Sequence, residues 1–226
     1  MTAHRRTEHR TRRGRRLRVM ALPCLLAAAG AFAKPQHYEL DPVHTRIVFA
    51  IDHLGFSKSL GTFSHPSGSL WFDPDDWRSA RVDVTVDIAS LDLGDAKWRE
   101  RMFKRDYFDL DDHAQARFVS TAVEPTGDTT ARVHGNLTLR GTTLPLSLDV
   151  TLNRHGRNPL TLRTTAGFSA TATLKRSDFG MDDNLRTVGD AVELRIEVEA
   201  SRKRATRDES DDNPATSSPH TATEPA

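Results

Sequence analysis

The sequence predicts an all-β domain of about eight antiparallel strands with one short inserted helix, and three observations support this fold class. Between Gln36 and Ala200, apolar residues recur at every second position, which is the period of a half-buried strand. Turn signals rich in Gly, Pro, Asn and Asp separate these runs. The helical crossovers that parallel strands need are missing, so we expect the strands to pair antiparallel.

Six segments carry the strand pattern. In chain order they are "RIVFAIDH" from Arg46, "RVDVTVDI" from Arg81, "RVHGNLTL" from Arg132, "LPLSLDVTL" from Leu144, "TAGFSATATL" from Thr165 and "AVELRIEVEA" from Ala191. Each should bury its apolar face in a shared core, as part of either a sandwich or a closed barrel. Closure would remove exposed strand edges, and an eight-stranded barrel is wide enough to hold a small ligand.

One segment departs from the strand period, namely "GDAKWRERMFKRDYFD" at residues 94–109. Its apolar residues Trp98, Met102 and Phe103 have the i, i+4, i+5 spacing of a short amphipathic helix. Asp95 stands where an N-terminal cap is needed. We therefore predict a short helix inserted between two strands.

The first 33 residues have the organisation of a secretory signal peptide. Eight arginines precede the apolar run "VMALPCLLAAAG", and "AFA" follows it, so cleavage is predicted after Ala33. The apolar run, about twelve residues long, is too short to span a bilayer well. Pro23 disfavours lipidation at Cys24, and the missing Phe-Leu after the paired arginines favours the general secretory route over twin-arginine export.

Removal of this leader changes the charge and the cysteine content. The leader carries eight arginines and one glutamate, so a chain that is +1 overall becomes −6 without it, which argues against nucleic acid as a partner. The single cysteine leaves with the leader, so the domain at residues 34–200 has no disulfide or thiolate metal site. Residues 201–226 lack apolar periodicity and are predicted to be a disordered tail.

The sequence predicts neither catalysis nor a metal. Asp178-Phe179-Gly180 is the triplet that holds magnesium in protein kinases, but the glycine-rich loop, the strand lysine and the His-Arg-Asp loop are absent. We assign Phe179 to packing, Gly180 to a permissive backbone position, and Arg176 with Asp178 to an ion pair. The domain's histidines lack ligand spacing, and His44 is predicted to make a structural hydrogen bond at the barrel rim.

Five blocks in register resemble the YceI-like family. They are "HYELDPVHTRIVFAIDHLGFSKSLGTFSHPSGSLWFDP", "VTVDIASLDLGDAKWRERMFKRDYFD", "ARFVSTAVEP", "VHGNLTLRGTTLPLSLDV" and "FSATATLKRSDFGM", and they extend from about His37 to Ala200. The resemblance implies an extended, eight-stranded, lipocalin-like antiparallel barrel in the bacterial periplasm. It also implies an apolar interior that holds a polyisoprenoid, with no cofactor and no catalytic residue.

One region departs from the family pattern. Where the family usually has Thr-Gly-Asn and then Arg-Asp-x-His-Leu, this chain has Leu93-Gly94-Asp95 and then Trp98-Arg99-Glu100-Arg101-Met102. The predicted helix is kept, but its polar groups differ. If this helix lines the mouth of a pocket, its different polar groups leave the identity of the bound ligand open.

Large and small residues are mixed along the strands, which fits either an elongated cavity or a close-packed interior. The family resemblance favours the cavity. The lining residues that we predict are Phe49, Ile51, Phe63, Trp71, Val84, Val86, Phe108, Leu137, Leu148, Phe168, Ala170 and Ala172. The predicted ligand is a polyisoprenoid or an isoprenoid-quinone-like lipid, recognised by apolar burial and shape.

Three functions remain open from the sequence. The leading hypothesis is a periplasmic protein that binds a long apolar lipid for transport, storage or sequestration, with transient membrane contact. The alternative is a filled barrel that acts in envelope stress or protein interaction without a stoichiometric ligand. An enzyme that acts on isoprenoid quinones is the weakest hypothesis, because no acid, base or redox signature supports it.

Overall fold

The computed structural model describes residues 34–204, which form ten β-strands and one α-helix. The strands are β1 (Gln36–Leu40), β2 (Arg46–His53), β3 (Ser57–Ser64), β4 (Ser67–Phe72), β5 (Arg81–Asp87), β6 (Gln115–Pro125), β7 (Thr130–Leu139), β8 (Thr142–Arg157), β9 (Thr164–Lys175) and β10 (Val188–Arg202). The helix α1 (Ala96–Met102) lies between β5 and β6. The predicted signal peptide and residues 205–226 of the predicted tail lie outside the described residues.

The strands form one closed antiparallel barrel. From β4 to β10 each strand pairs with the next along the chain, and β1 closes the ring by pairing with β4 on one side and β10 on the other. Along the earlier part of β10, from Val188 to Glu197, β2 takes the place of β1, and β3 pairs with β2. Thus β1 and β2 are two halves of one barrel strand, and β3 and β4 are two halves of the next. The predicted all-β barrel of eight antiparallel strands with one short helix is confirmed.

The two divided strands break at residues 41–45 and 65–66. At the first break the Asp41 N–H donates to the carbonyl of Glu199 at 2.8 Å, so the chain stays attached to β10. At the second break His65 has φ 53 and precedes a buried proline. A left-handed residue turns the chain out of the pleat, and proline has no N–H for the ladder. Both barrel strands therefore change direction between their halves.

The ring closes differently at the two ends of the barrel. At the end that contains β1, full ladders join β1 to β4 and to β10. At the other end, β3 pairs with β2 on one side, but its second edge meets only two residues of the segment after β5. These are Asp92, through its backbone, and Ser90, whose hydroxyl accepts the Ser64 N–H at 3.3 Å. Thr62 and Asp92 exchange two backbone hydrogen bonds of 2.9 Å there. Among residues 34–204, no strand continues the sheet beyond this edge of β3.

Inward-facing apolar side chains form two clusters, one at each end. At the end with β1, which we call the aromatic end, the ring of Phe72 lies edge-on and 5.3 Å from the rings of both Trp77 and Phe168. At the other end, which we call the helix end, the buried residues are Phe63, Ile88, Leu91, Ala116, Leu139, Phe179 and Met181. The core of the barrel therefore has an aromatic end and a more aliphatic helix end.

Helix α1 begins as predicted and ends early. The carboxylate of Asp95 accepts the backbone N–H of Trp98 at 2.8 Å, which confirms the predicted cap. The helix stops at Met102, because the following chain folds back and the Phe108 N–H donates to the Met102 carbonyl at 3.0 Å. No helix within residues 34–204 is long and apolar enough to cross a membrane.

The triplet at 178–180 belongs to a tight turn. Ser177–Phe179 is a single 3₁₀ turn, and Gly180 ends it with φ 75 in the left-handed region that favours glycine. Phe179 is buried in the helix-end cluster. The structure therefore confirms that Phe179 packs in the core and that Gly180 occupies a permissive backbone position.

The predicted ion pair of Arg176 with Asp178 is wrong. Arg176 is only 4% exposed, and its guanidinium donates to the carbonyls of Met181, Val188 and Gly189 at 2.6, 3.0 and 2.9 Å. Asp178 is exposed and does not take part. The buried cation is held by backbone dipoles because three carbonyls converge on its planar set of donors.

The turn at residues 41–45 contains the hydrogen bond predicted for His44. Its Nδ1 lies 2.9 Å from one carboxylate oxygen of Asp41, and the other carboxylate oxygen accepts the backbone N–H groups of Val43 and His44. The hydrogen bond to Asp41 raises the pKa of His44 above its ordinary value. The hydrogen bond from His44 lowers the pKa of Asp41.

This pair is expected to stabilise the barrel most between about pH 4 and 6.5. The lowered pKa of Asp41 gives a contribution that is lost as the pH falls through the folded pKa. The raised pKa of His44 gives one that is lost as the pH rises through its folded pKa. We expect the difference in urea midpoint between the wild type and His44→Gln to peak in this window, whereas a difference that is independent of pH would contradict the assignment.

Candidate functional site

Two apolar cavities lie inside the barrel. The larger, of about 350 Å³, is at the helix end, and the smaller, of about 190 Å³, is at the aromatic end. Five side chains line both of them: Ile47, Val86, Ala116, Leu137 and Leu194. The cavities therefore adjoin at a common waist and follow one another along the barrel.

The lining is poor in groups that could do chemistry. The smaller cavity has only Thr45 and Arg117 among otherwise apolar side chains. The polar residues of the larger cavity are His53, Ser59, Arg101, Tyr107 and Arg176. No aspartate or glutamate of residues 34–204 lines either cavity. The arrangement is suited to burying hydrocarbon.

Ten of the twelve predicted lining residues lie on the cavity walls. Phe49, Ile51, Phe63 and Phe108 line the larger cavity, Val84, Leu148, Phe168 and Ala170 line the smaller one, and Val86 and Leu137 line both. Strand parity places nine of them there, since each alternates with outward-facing neighbours, whereas Phe108 lies in the segment between α1 and β6. Their role as ligand contacts stays a prediction.

The place predicted for Trp71 needs correction. Its neighbours on β4, Leu70 and Phe72, are buried, so alternation directs Trp71 to the outer face. There its indole stacks on His37 with the ring centroids 4.8 Å apart. The sequence indicated an aromatic residue but not the face that it occupies.

Ala172 lines neither cavity. It shares the inward face of β9 with Ala170, which lines the smaller cavity, and with Leu174, which lines the larger one. Across the ladder it pairs with Leu194, whose larger side chain lines both cavities. Beside Ala172, the cavity wall is therefore formed by the side chain of Leu194.

Two of the small residues on the inward faces of the strands make room for aromatic rings. A Cβ on Gly61 would overlap the ring of Phe49, and a Cβ on Gly135 would overlap the ring of Phe118. Large and small residues are paired, as expected, but at these positions the pairing fills the wall. The space that remains lies further towards the axis.

The exposed lining residues of the larger cavity are His53, Trp98 and Arg101, so the cavity reaches the surface at the helix end, beside α1 and the end of β2. Arg101 lines this mouth, with its guanidinium 5.1 Å from the ring centre of Tyr107 and one nitrogen 3.3 Å from a carboxylate oxygen of Asp183. The Tyr107 hydroxyl donates to the same oxygen at 3.3 Å. Sequence reasoning missed this contact because Arg101 and Asp183 are 82 positions apart. In the sequence, only the departure from the family pattern at Arg101 indicated that this position is unusual.

One group of side chains within residues 34–204 could surround a metal ion, namely Asp41, His44 and Glu199, whose ligand atoms lie within 4.8 Å of one another. None of the three lines either cavity. Asp41 already accepts three hydrogen bonds from its own turn. We interpret the group as an ion-paired turn.

Comparison with known proteins gives consistent results. The model of the YceI-like domain matches residues 38–200. A UPF0312 protein of Serratia proteamaculans is 36% identical over 178 residues, which cover 79% of this chain and 92% of that protein. A UPF0312 protein of Pseudomonas syringae pv. tomato is 36% identical over 166 residues, covering 73% of this chain and 86% of that one.

Solved structures share the barrel. BcnA of Burkholderia cenocepacia is 26% identical with a TM-score of 0.65, covering 71% of this chain and 98% of its own. The YCEI protein of Campylobacter jejuni is 27% identical with a TM-score of 0.62, covering 68% and 90%. A polyisoprenoid binding domain from Saccharophagus degradans is 15% identical with a TM-score of 0.57, covering 74% and 98%, and shares the fold alone.

Proposed function

Because the chain belongs to the YceI-like domain family, we propose that it binds a long apolar lipid of the polyisoprenoid class inside its barrel. The observation that carries this proposal is the pair of adjoining apolar cavities that follow one another along the barrel. A structural relative described as a polyisoprenoid binding domain supports the ligand class through the shared fold. An isoprenoid quinone would present the same tail.

Apolar burial is sufficient to hold such a ligand. A polyisoprenoid tail offers only methyl, methylene and alkene carbons, each buried CH₂ contributing about 0.8 kcal/mol. At about −0.3 kcal/mol per atom, a chain of roughly 30 atoms could reach about −9 kcal/mol, which is sub-micromolar affinity. We place the end of the tail in the smaller cavity. The head then lies near His53, Arg101 and Tyr107 in the larger one.

We propose binding without catalysis. Chemistry on a quinone head would need an acid or base positioned at the ligand. Among the described residues, His53 and Tyr107 line the larger cavity but have no lining carboxylate to pair with. A filled barrel that acts only through protein interaction is the alternative, and the two cavities argue against it.

We also propose that the protein is exported to the periplasm and cleaved after Ala33. The succession of arginines, apolar run and Ala-Phe-Ala supports this proposal. Strand β1 begins at Gln36, so cleavage would leave every strand of the barrel intact.

Protein purified without detergent from the periplasm is expected to begin at Lys34 and to release about one isoprenoid lipid per barrel. The measurements are N-terminal sequencing and mass spectrometry of an organic extract, with an unrelated periplasmic protein extracted in parallel. Absence of stoichiometric lipid would favour the filled-barrel alternative. An N-terminus at an acylated Cys24 would contradict the assigned cleavage site.

A further inference from the structure

Four large apolar side chains are exposed to solvent around the mouth of the larger cavity. They are Leu54, Phe56, Trp98 and Leu185, and we call them the apolar rim. Phe56 is 90% exposed at the turn between β2 and β3. Turns usually carry polar residues, glycine or proline, so a phenyl ring at such a tip suggests a role outside the fold.

The apolar rim is assembled from three segments. Leu54 and Phe56 belong to the turn after β2, and Leu54 has φ 57, which makes the turn tight. The Leu54 N–H donates to the carbonyl of Thr187 at 3.0 Å, which attaches this turn to the loop that carries Leu185. Trp98 on α1 also lines the larger cavity. The apolar surface therefore continues from the cavity wall onto the exposed rim.

We propose that the apolar rim docks the barrel, mouth first, on the surface of a lipid bilayer. The inference rests on the proposed function, because a bilayer is where a polyisoprenoid dissolves. With the mouth against the membrane, the tail passes between bilayer and cavity without crossing water, which removes the main barrier to its transfer. Trp98 both lines the cavity and is exposed at the rim, so it connects the cavity interior to the apolar part of the bilayer.

The size of the apolar rim favours a bilayer over a protein partner. A stable protein interface takes roughly 20–30 residues a side. The rim offers four side chains on separate tips, which suits shallow insertion into the headgroup region, where tryptophan is also favoured.

The charges beside the apolar rim are mixed. The charged residues within three positions of a rim residue are five basic and five acidic ones: Lys58, Lys97, Arg99, Arg101 and Arg186, and Asp52, Asp95, Glu100, Asp182 and Asp183. They form no basic stripe in the sequence, so attraction to anionic lipids is not the main force. Docking is therefore expected on neutral vesicles and should persist in salt.

The opposite end of the barrel provides a matched control. Leu160 is 92% exposed, and Leu162 is also exposed, on the turn between β8 and β9. Arg163 in this turn donates to the carbonyl of Arg202, at the last residue of β10, whereas the apolar rim lies beside its first residue, Val188. The two sites are similarly exposed but lie at opposite ends of the same strand.

The test compares two double variants of the mature chain, Lys34 to Ala226. One combines Phe56→Ser with Leu185→Ser, and the control combines Leu160→Ser with Leu162→Ser. Co-sedimentation with phosphatidylcholine vesicles should fall about tenfold or more in the rim variant, because two large apolar side chains no longer leave water. The control should bind like the wild type, and both should keep the wild-type unfolding midpoint.

Equal loss in both variants would overturn mouth-first docking, and so would binding that requires phosphatidylglycerol and disappears in salt. Wild-type protein that yields lipid on extraction but does not bind vesicles would also overturn docking, while the proposed lipid binding would stand. Vesicle binding through the rim by a barrel without extractable lipid would support docking and remove the proposed function.

Discussion

Ala170→Phe is expected to displace the bound lipid while the barrel stays folded. Ala170 is buried on β9, lines the smaller cavity, and pairs with Val150 on one side and Ile196 on the other. Both neighbours line the same cavity, so a phenyl ring at position 170 would occupy the space proposed for the tail. In a filled core the same change would cost about 1–3 kcal/mol.

The measurements are the lipid extracted per barrel and the urea midpoint. Thr171→Phe is the matched control, because Thr171 is exposed on the same strand and its ring should leave the lipid in place. Ala172→Phe enlarges a side chain that borders neither cavity, so it should lower stability by about 1–3 kcal/mol. A collapsed midpoint for Ala170→Phe would indicate a packed interior and contradict lipid binding at this face.

Arg176→Met is expected to lower the free energy of unfolding by about 3–5 kcal/mol. Methionine keeps much of the apolar stem but removes every donor, so the carbonyls of Met181, Val188 and Gly189 lose their partner in a buried site. An unpaired buried carbonyl costs about 1–3 kcal/mol, reduced where water can enter.

Denaturation in urea measures the effect of Arg176→Met. The matched control is Arg186→Met on the exposed loop at 182–187, which should stay within about 0.5 kcal/mol of the wild type. Arg176→Lys should be intermediate, because a compact ammonium cannot reproduce the planar set of donors. Wild-type stability in Arg176→Met would mean that water satisfies these carbonyls as well as the guanidinium does.

The strands that alternate regularly could be predicted from the sequence, and the others could not. In β6 an irregularity between Ser120 and Ala122 shifts the register, so its inward residues do not keep a period of two. In β3 and β4, serine and glycine occupy many positions and hide the alternation. The period reveals a strand only where its ladder is regular and its inward residues are large.

The site was less predictable than the fold because it depends on contacts between distant segments. The sequence identifies Gly61 as small, but only the pairing of β2 with β3 shows that the ring of Phe49 covers it. Likewise Trp71 has the chemistry of a lining residue, and the parity of β4 alone places it outside. Cavities follow from which neighbours meet, and a single sequence does not give those neighbours.

The single Thr62–Asp92 bridge means that the barrel wall has a slit at the helix end and a continuous seam at the aromatic end. The slit runs beside the larger cavity, where Phe63 of β3 forms part of the wall. Parting it breaks the two Thr62–Asp92 backbone hydrogen bonds and the bond from the Ser64 N–H to the Ser90 hydroxyl, each worth about 0.5–1.5 kcal/mol net, besides local packing. The barrel can therefore widen at the helix end, where the head of the proposed ligand lies, while its width at the aromatic end stays fixed around the tail. Under the proposed binding mode, one barrel would accept lipids that share a tail and differ in the head, and faster amide exchange at Thr62 than at Leu70 would report this asymmetry.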